Sequence, residues 1–136
     1  MTILQEYLEE EDILAIPARQ IREDLRLAAS LLTPKEARYL VDTYYQMQEN
    51  RKRAANQARA LAAAEEPSRA VSFLRAEALR LENEVKFILA SYATSQDLGI
   101  WAQSIRGIGP VISAGLLAHL DVSRAPTVGH FWRFAG

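Results

Sequence analysis

The sequence predicts an all-α protein: a long antiparallel, coiled-coil-like helical hairpin followed by a small module of short helices. Three observations predict it. The chain of 136 residues holds only six glycines and five prolines, and β-branched residues are sparse against abundant Ala, Leu, Glu and Arg, a mixture that favours helix. Apolar residues recur at alternating spacings of three and four over residues 71–92, the period of a helix seam. Helix start signals precede each long stretch, and no run alternates with the period of two that a strand requires.

Residues 1–32 read as one or two short helices. Tyr7, Leu8, Ile13, Leu14 and Ile16 supply apolar surface before Pro17, and Leu25, Leu27, Leu31 and Leu32 follow. The run Glu9-Glu10-Glu11-Asp12 reads as a solvated face or an acidic helix start rather than a metal site. At Thr33-Pro34-Lys35-Glu36 a hydroxyl stands at the N-cap, proline at the first helical position and glutamate at the third, a capping-box start. Neither glycine nor proline then appears until Pro67, which predicts about 30 residues of helix, roughly 45 Å at 1.5 Å per residue.

Glu65-Glu66-Pro67-Ser68 breaks that helix, and a second runs to about Tyr92. Its seam is Val71, Leu74, Ala78, Leu81, Val85, Ile88 and Tyr92. The first helix offers a weaker stripe of Val41, Tyr44, Gln48, Arg51, Ala55, Ala58 and Ala62. A short loop between long helices makes neighbours antiparallel, so residues 33–93 are read as one helical hairpin. Two helices make a thin core, so packing on the N-terminal helices, on a second copy, or on both is expected, the second copy giving a homo-oligomer (a dimer) through the long helices. Residues 94–136 complete the chain as a helix-hairpin-helix module: short helices over 96–105, 111–120 and 128–135, the last opened by Thr127.

Composition narrows the function. With no cysteine, disulfides and thiolate metal sites are excluded and a reducing compartment is favoured. The first residues lack the basic and apolar regions of a signal peptide, and no apolar run approaches membrane-spanning length. A cytoplasmic protein with no membrane partner is expected. Net charge is −1, with three basic and seven acidic side chains in residues 1–32, ten and eight in 33–94, and three and two in 95–136. The acid is concentrated at the N-terminus and the remainder is weakly basic.

The chemistry-bearing segment is Ile105-Arg106-Gly107-Ile108-Gly109-Pro110-Val111-Ile112-Ser113-Ala114. Its glycines permit backbone angles closed to other residues and let a ligand approach the main chain. Ile108 is expected to tuck between the helices, and Pro110 suits a first helical turn. Ser113 and Ala114 are small enough for the helices to cross closely. The N–H groups of Gly109, Val111 and Ile112 then stand at a helix N-terminus, where an anion such as a backbone phosphate fits, with Arg106 beside them for a second phosphate. This is the spacing of a helix-hairpin-helix motif, which contacts backbone rather than bases. The bland alternative is a tight interhelical turn that binds nothing.

Residues 105–136, from this hairpin through Phe131-Trp132-Arg133-Phe134-Ala135-Gly136, resemble the opening of the C-terminal transposase domain of a bacterial insertion-sequence family, the RNA-guided serine-type "bridge" recombinases. Asp121, Ser123, Arg124, Phe131, Phe134, Ala135 and Gly136 follow that pattern. In the family a coiled-coil arm precedes the domain, which residues 33–93 resemble in kind. The resemblance implies DNA or RNA binding in the recombination of a mobile element. It carries no strand cleavage to this chain: residues 1–32 are too short for the family's nuclease domain, and its catalytic serine lies beyond the Ala-Gly point, where Ser113 and Ser123 do not stand. A fragment or truncated product, non-catalytic as it stands, is therefore expected.

Other candidates are weaker. Arg51, Lys52, Arg53 and Arg59 make a basic band on the first long helix that could track phosphates, or else a solvated face with charge pairs across turns. His119 and His130 lack partners at ligand spacing, so no metal site is expected. Trp101, Phe131 and Trp132 could stack bases, but their helical spacing from other apolar residues assigns them to the core. No nucleophile–base pair, paired acid or phosphate-binding loop is present, so neither catalytic residues nor a cofactor is expected. The rival to a nucleic-acid reading is a helical protein-interaction or dimerisation module, such as an inhibitor of a partner, with no nucleic-acid role.

Overall fold

The structure, a computed structural model, describes residues 23–136, which are helical without a strand. Helix α1 covers 23–29, α2 Pro34–Ala63, α3 Arg69–Thr94, α4 Asp97–Ser104 and α5 Pro110–His119; a 3₁₀ turn at Val122–Arg124 leads to α6, Val128–Ala135. The all-α expectation holds. The expected roles of Tyr7, Leu8, Ile13, Leu14, Ile16 and the Glu9–Asp12 run lie outside the described residues.

Local chemistry sets the boundaries of the two long helices. The Thr33 hydroxyl accepts from the Glu36 N–H at 3.2 Å, and the Glu36 carboxylate accepts from the Thr33 N–H at 2.8 Å, closing the capping box. At its far end α2 stops where Glu65 turns left-handed (φ 59°). The Glu65 N–H then donates to Ala62 O at 3.1 Å and the Glu66 N–H to Leu61 O at 2.9 Å, which satisfies two end carbonyls. Ser68 caps α3 by accepting from the Val71 N–H at 3.3 Å.

The long helices pack antiparallel, with Ala37 and Val41 at the start of α2 meeting Leu89, Tyr92 and Ala93 at the end of α3. α5 lies across this end and adds Val111, Ala114 and Ala118, so the core is three helices thick there. Leu32, which follows α1, packs against the same cluster, and the Arg26 guanidinium lies 5.5 Å from the centre of the Phe87 ring.

Away from that end the hairpin is only two helices thick. Of the α3 seam, Val85 and Tyr92 are buried, whereas Leu74 and Leu81 are 59% and 44% exposed. The heptad pattern locates the contact stripe but not its cover. On the α2 stripe Arg51 forms a bidentate pair with Glu82 across the hairpin, which lets two charged residues occupy an otherwise apolar seam.

The exposed aromatics correct the expectation of a core role for the tryptophans. Trp101 is 61% exposed, because α4 buries its small Gly99–Ala102 face instead. Trp132 is 75% exposed and Phe131 half-buried, because among the described residues α6 packs against none of α2–α5. Leu27 and Leu31 are likewise exposed rather than buried. No described helix is long and apolar enough to cross a membrane.

Candidate nucleic-acid interface

Between α4 and α5 the chain turns through the two glycines. Gly107 has φ +91°, a left-handed conformation that disfavours any side chain. The turn is closed by the Ile108 N–H donating to Ile105 O at 3.1 Å. Gly109 is the N-cap of α5 in an extended conformation and Pro110 opens the helix. Val111 and Ile112 therefore occupy second and third positions, whose amides have no intrahelical acceptor, and no side chain caps this end. The first ladder bond runs from the Ser113 N–H to Gly109 O at 2.9 Å.

The crossing that holds the turn rests on a residue the sequence reading passed over. Ser113 and Ala114 are fully buried, as their size suggests. The Ser113 hydroxyl also donates to Gly99 O on α4 at 3.1 Å. A Cβ on Gly99 would stand 2.0 Å from Ala93 O and 3.0 Å from a Leu117 methyl. Gly99 is thus where α4 closes on the ends of α3 and α5. The small residues of α5 were its only sequence signal, since close crossing needs a small partner on the other helix.

One wall of an open groove of about 350 Å³ is the hairpin itself, at Gly107, Gly109, Pro110, Val111 and Ile112. The opposite wall is Tyr44, Tyr45 and Gln48 of α2, with Lys86 of α3. Neither Gly107 nor Gly109 has any atom within 4 Å of the place a Cβ would take, so the main chain is open to approach. The two tyrosines pack edge to face, centroids 5.4 Å apart and planes at 73°. Burial, and next the charge of Glu82, raise the Tyr44 phenol above its usual range, so it stays a neutral hydrogen-bond donor. Arg106 is exposed beside Gly107, and Ile108 is half-buried.

The structure disperses the basic band of α2. Arg51 turns inward to Glu82, and this hydrogen bond raises its pKa further. Lys52 pairs with Glu49 at 3.0 Å, and Arg59 donates to Asn56 at 3.0 Å. Arg53 lines a different groove, between the distal halves of α2 and α3. Lys86 is the cation that the fold brings to the hairpin; on the sequence it is one lysine on a long helix, and only the register of the three helices selects it. Among the described residues no group of three His, Cys, Asp or Glu side chains could hold a metal. At the far turn Asp121 accepts from the backbone and hydroxyl of Ser123, which lowers the carboxyl below its ordinary value. His130 Nδ1 lies 2.6 Å from the Thr127 hydroxyl.

Comparison with known proteins finds no matching family model, no similar curated protein and no similar solved structure.

Proposed function

We propose that this chain is a non-catalytic nucleic-acid-binding protein that grips backbone phosphate through the Gly107-Ile108-Gly109 hairpin. The observation that carries the reading is the open groove that Lys86 lines together with Gly107 and Gly109, whose main chain is open to approach. The amides of Val111 and Ile112 supply donors without an intrahelical acceptor, the α5 dipole favours an anion there, and Lys86 and Arg106 supply mobile positive charge. Such a site reads no sequence. The resemblance of residues 105–136 to the insertion-sequence transposases supports a role in the recombination of a mobile element, in the cytoplasm.

The test is a titration of the full chain with labelled duplex and single-stranded DNA and RNA at several salt concentrations. Wild type is expected to bind with an affinity that falls steeply as salt rises, and Lys86→Gln and Arg106→Gln each to reduce the logarithmic salt slope by about one. Gly109→Val adds bulk at a position where a Cβ meets nothing within 4 Å and is expected to weaken binding, with far-UV circular dichroism checking that the variant folds. Absence of binding at low salt, or variants that bind like wild type, overturns the reading.

A specific observation also favours a helical interaction module. The distal groove of about 600 Å³ is lined in part by Val71, Leu74, Ala78 and Leu81, four of the seven predicted seam positions of α3, with Met47 of α2. A second copy covering it would make the expected dimer. Sedimentation gives the measure: a dimer that persists in high salt and is lost in Leu74→Glu supports it, and a monomer at every concentration removes it.

A further inference from the structure

The groove at the hairpin has a second half that phosphate contacts leave unused. Tyr45 is 48% exposed, and its ring meets that of Tyr44, the preceding position of α2, at 73° with centroids 5.4 Å apart. Gln48 stands one helical turn on, on the same wall. Neither the Tyr45 hydroxyl, the Gln48 amide nor the Lys86 ammonium has a hydrogen-bond or ion-pair partner among the described residues. An exposed flat ring, an amide carrying both donor and acceptor, and a cation therefore converge on one concave site, beside open main chain.

We propose that this groove takes a single unpaired nucleotide, its phosphate on the hairpin and its base stacked against Tyr45, with Gln48 at the base edge. The inference rests on the phosphate reading above and adds what that reading leaves open, the strandedness of the ligand. The wall of α2 decides it. A duplex keeps its bases stacked inside and has no free base face to offer Tyr45. A splayed nucleotide instead offers its base face to that wall. Stacking on an aromatic ring accepts every base, since each has a π-face, so affinity should vary little with sequence. The ring, with no sugar contact defined beside it, accepts DNA and RNA strands alike.

The experiment is fluorescence anisotropy with the full chain on labelled oligothymidylate, oligouridylate and a duplex, each of about 15 nucleotides or base pairs, within the span of a single-strand site. Single strands are expected to bind more tightly than the duplex. Tyr45→Ala should weaken single-strand binding by about 5- to 150-fold, the worth of one base stacked on one ring, without changing duplex binding. Tyr45→Phe, which keeps the ring, should bind as wild type does, and far-UV circular dichroism checks that each variant folds. The proposal is overturned if the duplex binds as tightly as the single strands, or if Tyr45→Ala binds single strands like wild type. When either result accompanies a loss in Gly109→Val, the phosphate grip stands and only the base subsite fails. When Gly109→Val and Lys86→Gln are also without effect, both readings fall.

Discussion

Replacing Gly99 by alanine puts a methyl group 2.0 Å from the carbonyl oxygen of Ala93, 2.8 Å from its carbon and 3.0 Å from Leu117 Cδ1. The first two atoms are backbone at the end of α3, so no rotamer change relieves them. Restoring an ordinary contact moves α4 away by more than an ångström. Forcing extra atoms into a packed site costs about 1–3 kcal/mol. The same movement stretches the bond from the buried Ser113 hydroxyl to Gly99 O, and a stranded buried donor costs about 1–3 kcal/mol. Together Gly99→Ala should lose about 2–6 kcal/mol, on the order of 10–25 °C in Tm for a chain of this length. Urea and thermal unfolding followed by circular dichroism measure it, with Gly109→Ala as the control, since nothing lies within 4 Å of that position. If Gly99→Ala unfolds within about 0.5 kcal/mol of wild type, the span of an ordinary surface substitution, the close crossing is not what holds the hairpin in place.

Gly115→Ala should act in the opposite sense: the residue is inside α5 and its Cβ would meet only Val41 Cγ1 at 3.9 Å, so relief of backbone entropy should stabilise the fold by about 0.5–1 kcal/mol in the same urea assay. An unchanged or lower midpoint would contradict that geometry. Arg51→Met should lower the urea midpoint because it leaves the buried Glu82 carboxylate without its cation, whereas the double variant Arg51→Met/Glu82→Leu should recover most of the loss. A single variant as stable as wild type would show that the pair does not couple the helices.

The sequence makes the helices legible because their signals are local. Thr33 and Glu36 announce a cap within four residues, and the stripe through Val85 and Tyr92 points to the packed face. What stays hidden depends on a third element. Leu74 and Leu81 sit on the same stripe as Val85, yet α5 reaches only one end of the hairpin, and periodicity carries no information about where a crossing helix stops. The glycine turn is legible for a similar reason, since Gly107 is read from its own backbone demand. Its partners are not: Tyr45, Gln48 and Lys86 lie about 20–60 positions away, and their meeting with Gly109 follows from helix register. Arg51 stands both on the predicted stripe and in the basic band beside Lys52 and Arg53, and only its pairing with Glu82 across the hairpin shows which way it turns. Trp101 and Trp132 show that helical spacing identifies a face without establishing that anything covers it.

The uneven thickness of the hairpin has a consequence for how the molecule comes apart. The end near Leu89 and Ala114 is clamped by three helices, whereas the loop at 64–68 closes a span held by two, with Glu65 in a conformation unfavourable to its side chain. Opening fluctuations should therefore start at that loop and unzip toward the Arg51–Glu82 pair, leaving the glycine turn on the part that yields last. The wall of Tyr44, Tyr45 and Gln48 and the hairpin share the clamped end, so the distal arm should breathe without altering the spacing between Tyr45 and Gly109.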